Sequence, residues 1–141
     1  MWRQRMSNVY NRNRKKTKFD VVANAEKLQD EITLYIMDQT RVPKKWRYMI
    51  GQDIIAKVDE LNDNVIAANS IYATTDKELE ARRAYEQRAI NNGYQLQRKL
   101  ARLVRCVPSA TASSLEDIVE LLKTEIDDLK GWRKNEKIRG K

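Results

Sequence analysis

The stretch RVPKKWRYMIGQ, residues 41–52, decides how the rest of this sequence is read. Pro43 has no amide proton and its φ is fixed near the helical value, so it fits the first turn of a helix and not an interior. A helix therefore begins here. Lys44, Lys45 and Arg47 fall close behind that start, interleaved with Trp46, Tyr48, Met49 and Ile50. Positive charge at a helix N-terminus opposes the macrodipole, a misfit of ~0.3–1 kcal/mol per charge, which marks the three as candidates for contact with a partner. The other reading is of ordinary solvated side chains beside a helix stabilised elsewhere.

Downstream of Pro43, the residues Ile50, Ile54, Val58, Leu61, Val65, Ala68 and Tyr72 recur at helical steps and predict a second helix running to about Ala73. Its length, roughly 30 residues and about 45 Å, sets the height of the domain. Upstream, Val21, Ala25, Leu28, Ile32, Tyr35 and Ile36 predict helix one over about residues 18–39. Thr74, Thr75 and Asp76 are N-cap candidates for helix three, about Lys77 to Val107, whose buried stripe reads Ala89, Gly93, Leu96, Leu100, Leu103 and Val107. Ser113 and Glu116 have capping-box spacing ahead of helix four, Ser114 to about Trp132, with the stripe Ile118, Leu122, Ile126 and Leu129. Short connectors join the four, so the expected fold is all-α, an antiparallel up-down-up-down four-helix bundle over residues 18–132.

Composition agrees, since 141 residues carry only four glycines and two prolines, a balance that favours long helices in one domain. The net charge of +8 is uneven. Residues 1–17 read as a flexible basic arm. With Lys18, that end carries +7 and no acid, and a basic tail at 133–141 carries +4, which leaves the body at −3. No apolar run is long enough to span a membrane and no secretory signal is seen, so a cytoplasmic location is expected. Histidine is absent and Cys106 is the single cysteine, which argues against a disulfide framework, a metal site and triad chemistry. No cofactor and no catalytic residue are expected, and Cys106 reads as a packed or idle thiol.

Helix three carries a second pattern. Arg88, Asn91, Gln95, Arg98, Arg102 and Arg105 also recur at steps of three and four, on the side opposite the buried stripe and without an acid. Arginine forks bind phosphate bidentately, so Arg88, Arg98, Arg102 and Arg105, with Arg12, Arg14, Lys15 and Lys16 of the arm, are the candidate nucleic-acid contacts. The bland alternative is a solvated face, or salt bridges between subunits to the acids Glu116, Glu120 and Asp127 of helix four. Trp46 and Trp132 stand at helix ends, positioned either to stack on a base or to seal the bundle. Ile55, Ile66 and Ile71 lie off the main stripe of helix two, and such apolar surplus predicts an oligomer.

Two stretches resemble a known family. Val42-Pro43-Lys44, Arg47 and Ile50-Gly51-Gln52 are similar to the Leu-Pro-Lys, Arg, Leu-Gly-Gln opening of helix two in the accessory variability (Avd) proteins of diversity-generating retroelements, and Leu129-Lys130-Gly131-Trp132 resembles the glycine-tryptophan close of their fourth helix. The related bundle proteins encoded in ribosomal-RNA intervening sequences carry an Asn-Ile-Ala-Glu-Gly-like motif, where this chain reads Asn64-Val65-Ile66-Ala67-Ala68-Asn69. The resemblance implies a ring-like homopentamer of four-helix bundles that binds the element's reverse transcriptase and its template RNA, or an RNA/DNA hybrid, and supports mutagenic cDNA synthesis without catalysing it. Pro43 and Gly51 would then be structural, the glycine allowing close helix approach, and of the matching residues only Lys44 and Arg47 would face a partner. The alternative function is a scaffold or assembly protein whose bundle surfaces make protein contacts only.

Overall fold

Four helices, and no strand, form among residues 18–139, the part of the chain that the structure, a computed structural model, describes. Helix α1 is Lys18–Met37. Helix α2 opens at Lys44–Trp46, passes through a π turn at Arg47–Gly51 and continues as Gln52–Asn69. Helix α3 is Asp76–Cys106, and α4 is Glu116–Lys134, entered through a 3-10 turn at Ser113–Leu115. The expected basic arm, residues 1–17, lies outside the described residues.

Each helix packs on two neighbours, α1 on α2 and α4, and α3 on α2 and α4, while the diagonal pairs make no close backbone approach. The stripes predicted from periodicity fill the centre: Leu28, Ile32, Ile54, Val58, Leu61, Leu96, Leu103, Leu122 and Leu129 are all buried. Each such side chain contributes roughly 1.5–3 kcal/mol on leaving water. Two glycines set how closely the helices approach. A Cβ on Gly51 would stand 2.8 Å from Ile36 Cγ2, and one on Gly93 would stand 2.6 Å from Ile126 Cγ1, both inside van der Waals contact. Gly131 has no atom within 4 Å of that position, so packing does not explain it.

Both ends of the bundle are tied. At one end Arg41 Nη1 donates to the Ser109 carbonyl and Ser109 Oγ to that of Arg41, while the Tyr35 and Ser114 hydroxyls share a 2.6 Å hydrogen bond. These join the α1–α2 connection to the α3–α4 connection. At the other end the Arg139 amide donates to the Ala73 carbonyl at 2.7 Å.

Three boundaries depart from the periodicity. Helix α2 stops at Asn69, because Ser70 Oγ turns back to the Ala67 carbonyl and the Ile71 amide to that of Ala68. Tyr72, placed in the buried stripe by its spacing, is 68% exposed. Ser113 does not cap α4: Thr111 holds the turn instead, its carbonyl accepting from Ser114 Oγ and its hydroxyl from the Ser114 amide, and the α-helix starts only at Glu116. The capping box lies at α3, where Thr75 Oγ1 accepts from the Glu78 amide and the Glu78 carboxylate accepts from the Thr74 amide and hydroxyl. Those donors hold the Glu78 carboxyl below its ordinary value. Finally, α4 continues to Lys134, and the residues after it fold back against the α2–α3 connection instead of leaving the bundle at Trp132.

Candidate nucleic-acid interface

With its buried stripe turned to the core, α3 must present the residues between those positions outward. Arg88, Asn91, Gln95, Arg98, Arg102 and Arg105 are all exposed. Arg98, Arg102 and Arg105 border a groove of about 420 Å³ between α2 and α3. Arg98 to Arg102 is one turn and Arg105 about one more, so the three guanidinium roots span ~10 Å along the helix. None of the three forms an ion pair among the described residues.

The groove also gathers charges that the periodicity of α3 alone does not reveal. Lys57, Lys99 and Asp53 line it. Lys99 Nζ pairs with Asp53, and Lys57 Nζ pairs with Glu60 at 2.7 Å. The lysines that line the groove are thereby matched, and the arginines that line it have no carboxylate partner among the described residues. Asp53 and Lys57 sit one turn apart on α2, a spacing legible in sequence, but only the packing of α2 on α3 brings them to the arginines. At the inner end of this seam Asn92 is buried, accepting from Asn64 Nδ2 at 2.7 Å and donating to Glu60 at 2.8 Å.

The other candidates are dispersed. Arg88 lies on the same face but does not line the groove; its guanidinium carbon is 5.1 Å from the centre of the Tyr85 ring. Lys44 and Lys45 are exposed near the α1–α2 connection, with Lys45 Nζ 5.6 Å from the Trp46 ring centre. Arg47 is half-buried and donates through Nη2 to the Met37 carbonyl at 3.0 Å, satisfying an orphan acceptor at the end of α1. That engagement commits part of its guanidinium inside the fold. Arg12, Arg14, Lys15 and Lys16 lie outside the described residues. Trp46 packs partly buried against the core, as does Trp132, whose ring centre is 5.1 Å from the Arg82 guanidinium carbon. Cys106 is exposed. Glu120 and Asp127 line a separate cleft between α1 and α4, with Lys27, Glu31 and Lys123.

A second charged cluster lies inside the bundle. Arg82 and Glu86 are 2% and 0% exposed, and they continue the buried stripe of α3 toward its N-terminus. Arg82 Nη1 donates to the Ile71 carbonyl at 2.8 Å, and its Nε stands 2.7 Å from Glu136 of the folded-back C-terminal segment. Burial, then the facing charge of Glu136, pushes the Glu86 carboxyl up to about 8. Glu125 on α4 is likewise fully buried, and burial followed by the charge of Asp128 pushes it up to about 9. Composition places such residues on the surface; the signal for their burial is that Arg82 and Glu86 extend the apolar stripe at unbroken steps.

Comparison with protein-family models, with curated proteins and with solved structures yields no match to this chain. Among the described residues, no helix is long and apolar enough to cross a membrane.

Proposed function

We propose that this chain is a non-catalytic accessory subunit of a diversity-generating retroelement, binding the element's template RNA and its reverse transcriptase in the cytoplasm and supporting mutagenic cDNA synthesis. In this reading the bundle is antiparallel, up-down-up-down, and assembles into a ring-like homo-oligomer, five subunits following from the resemblance of Val42-Pro43-Lys44 and Ile50-Gly51-Gln52 to the accessory variability proteins. The observation that carries the reading is the lip of arginines, Arg98, Arg102 and Arg105, unpaired among the described residues, beside a groove whose lysines are already matched. Three free guanidinium groups a turn apart suit successive backbone phosphates and recognise no sequence. The antiparallel order is supported by successive contacts that run in opposite senses, Gln29 with Asp59 and Met37 with Arg47 between α1 and α2, and Asp53 with Lys99 and Glu60 with Asn92 between α2 and α3.

Replacing Arg98, Arg102 and Arg105 together by glutamine tests it. None of the three is buried, so the fold should be kept, while RNA affinity should fall and its dependence on salt should flatten by up to about 0.7–0.9 in log–log slope for each phosphate no longer neutralised. RNA binding and assembly both unchanged would remove the three groove arginines from the mechanism and leave Arg88, Lys44, Lys45 and Arg47 as the remaining cationic candidates among the described residues. The second reading, a scaffold making protein contacts only, is favoured by Leu34, Tyr48, Met49 and Tyr72, each more than two-thirds exposed. It requires partner affinity that changes little with salt.

A further inference from the structure

The outward crest of α3 carries an aromatic residue in line with its arginines. Tyr94, 42% exposed, stands one turn before Arg98, so that Tyr94, Arg98, Arg102 and Arg105 follow at steps of four, four and three in a row ~16 Å long. From Gln87 to Cys106 this helix has no acid. Its flanks mix both signs. On the α2 side Asp53 pairs with Lys99 and Glu60 with Lys57. On the α4 side Glu116 and Glu120 border a groove with Arg105 and Lys123, and Asp127 stands near Lys130. Unmatched positive charge is thus confined to a strip one helix face wide. Lys130 also meets the ring, its Nζ 5.3 Å from the ring centre, and the Tyr94 hydroxyl, then Asp127, hold that ammonium above the ordinary lysine value. The contact steadies Tyr94 from α4 while much of the side chain stays open. The other exposed or end-placed aromatics lie off the row: Trp46 and Trp132 pack against the core, Tyr48 borders the α1–α2 groove, and Tyr72 lies past the end of α2.

We propose that Tyr94 is a base-stacking platform at one end of the arginine row, and that the row holds an unpaired RNA strand, one base against the ring and the following phosphates along Arg98, Arg102 and Arg105. A base stacks on an aromatic ring whatever its identity, because every base has a π-face, and stacking needs only one face of the ring. Within a duplex the bases stack on one another and offer no such face, so an unpaired strand alone presents a base to Tyr94 and phosphates to the arginines at once. The narrow strip agrees, since it suits one backbone and not two. This rests on the RNA-binding reading above and adds the state of the RNA that the site takes.

The test measures binding of the full chain, by fluorescence anisotropy, to an oligouridylate and to the duplex it forms with an oligoadenylate of equal length. Tyr94→Leu removes the ring, and Tyr94→Phe keeps it while losing the hydroxyl that meets Lys130; circular dichroism and melting temperature check that both fold. Tyr94→Leu should bind the oligouridylate about 5- to 150-fold more weakly and the duplex as wild type does, with Tyr94→Phe matching wild type on both. Unchanged oligouridylate binding in Tyr94→Leu would overturn the inference. So would an equal loss on single strand and duplex, which would make Tyr94 a support for the row and not a platform. A Tyr94→Phe protein as weak as Tyr94→Leu would assign the effect to the hydroxyl and overturn it as well. If replacing Arg98, Arg102 and Arg105 by glutamine leaves oligouridylate binding unchanged, the RNA-binding reading and this inference fall together, while a loss in that triple variant with none in Tyr94→Leu overturns the inference alone.

Discussion

Replacing Glu125 by glutamine should change how stability responds to pH, and the sign follows from where the carboxyl sits. Glu125 is fully buried, neither of its oxygens has a hydrogen-bond partner among the described residues, and its carboxyl is pushed up to about 9 from 4.5. The folded state therefore keeps a proton that the unfolded chain releases. The contribution is fully present below the unfolded value and is lost as pH rises toward the folded one, by about 1.4 kcal/mol per pH unit in between. From about pH 5 to about pH 8 that amounts to ~4 kcal/mol, a large share of the ~5–15 kcal/mol that holds a typical domain. Glu86, pushed up to about 8, acts with the same sign over nearly the same window. Asp38 and Glu78, held low by Thr40 and by Thr74, act oppositely, but only as pH falls below the ordinary carboxylate range. Urea unfolding followed by circular dichroism across this range should show wild-type stability falling with pH and Glu125→Gln falling about half as steeply, Glu86 alone remaining. Parallel curves for the two proteins would refute the reasoning, since Glu125 would then titrate alike in both states.

Gly93→Ala should destabilise by about 1–3 kcal/mol, because its Cβ would overlap Ile126, whereas Gly131→Ala, with open space around it, should stabilise by about 0.5–1 kcal/mol. Thermal melts of the pair would expose an error if both moved the same way. Deleting residues 1–16 removes six of the seven positive charges before Phe19; RNA affinity should weaken with no change in sequence preference, and a melting temperature lowered by several degrees would show that the arm packs on the bundle.

Most of the fold is legible in the sequence because it depends on one repeating quantity. The stripes of α1, α3 and α4 recur at helical steps without interruption, and every member is buried except Tyr35, which is partly buried. Periodicity misleads at Tyr72, where apolar character continues past the helix while Ser70 Oγ competes for the Ala67 carbonyl. Ser113 does not serve as a cap for a similar reason, since a neighbouring hydroxyl, Thr111, takes the role that spacing assigns to it. The outward arginines are legible from the same periodicity, but the groove is not, because Lys57, Lys99 and Asp53 belong to an interface between two helices. Arg82 and Glu86 escape a reading in which charge outweighs position, and their burial depends on Glu136, which is distant in sequence and arrives only when the chain folds back.

The π turn at Arg47–Gly51 accommodates one residue more than an α-helix of the same rise. It works as a phase shifter in the count of residues: everything before it is offset by about 100° from where an unbroken helix would place it relative to the stripe that follows. Deleting one residue there would let the wide turn close to an ordinary α turn, with Lys44, Lys45 and the stripe from Ile54 onward keeping their directions in space. A one-residue change in chain length is thus absorbed without turning the cationic entrance about the axis of α2, and its cost falls on Ile50 and Gly51, the two residues of the turn that are buried.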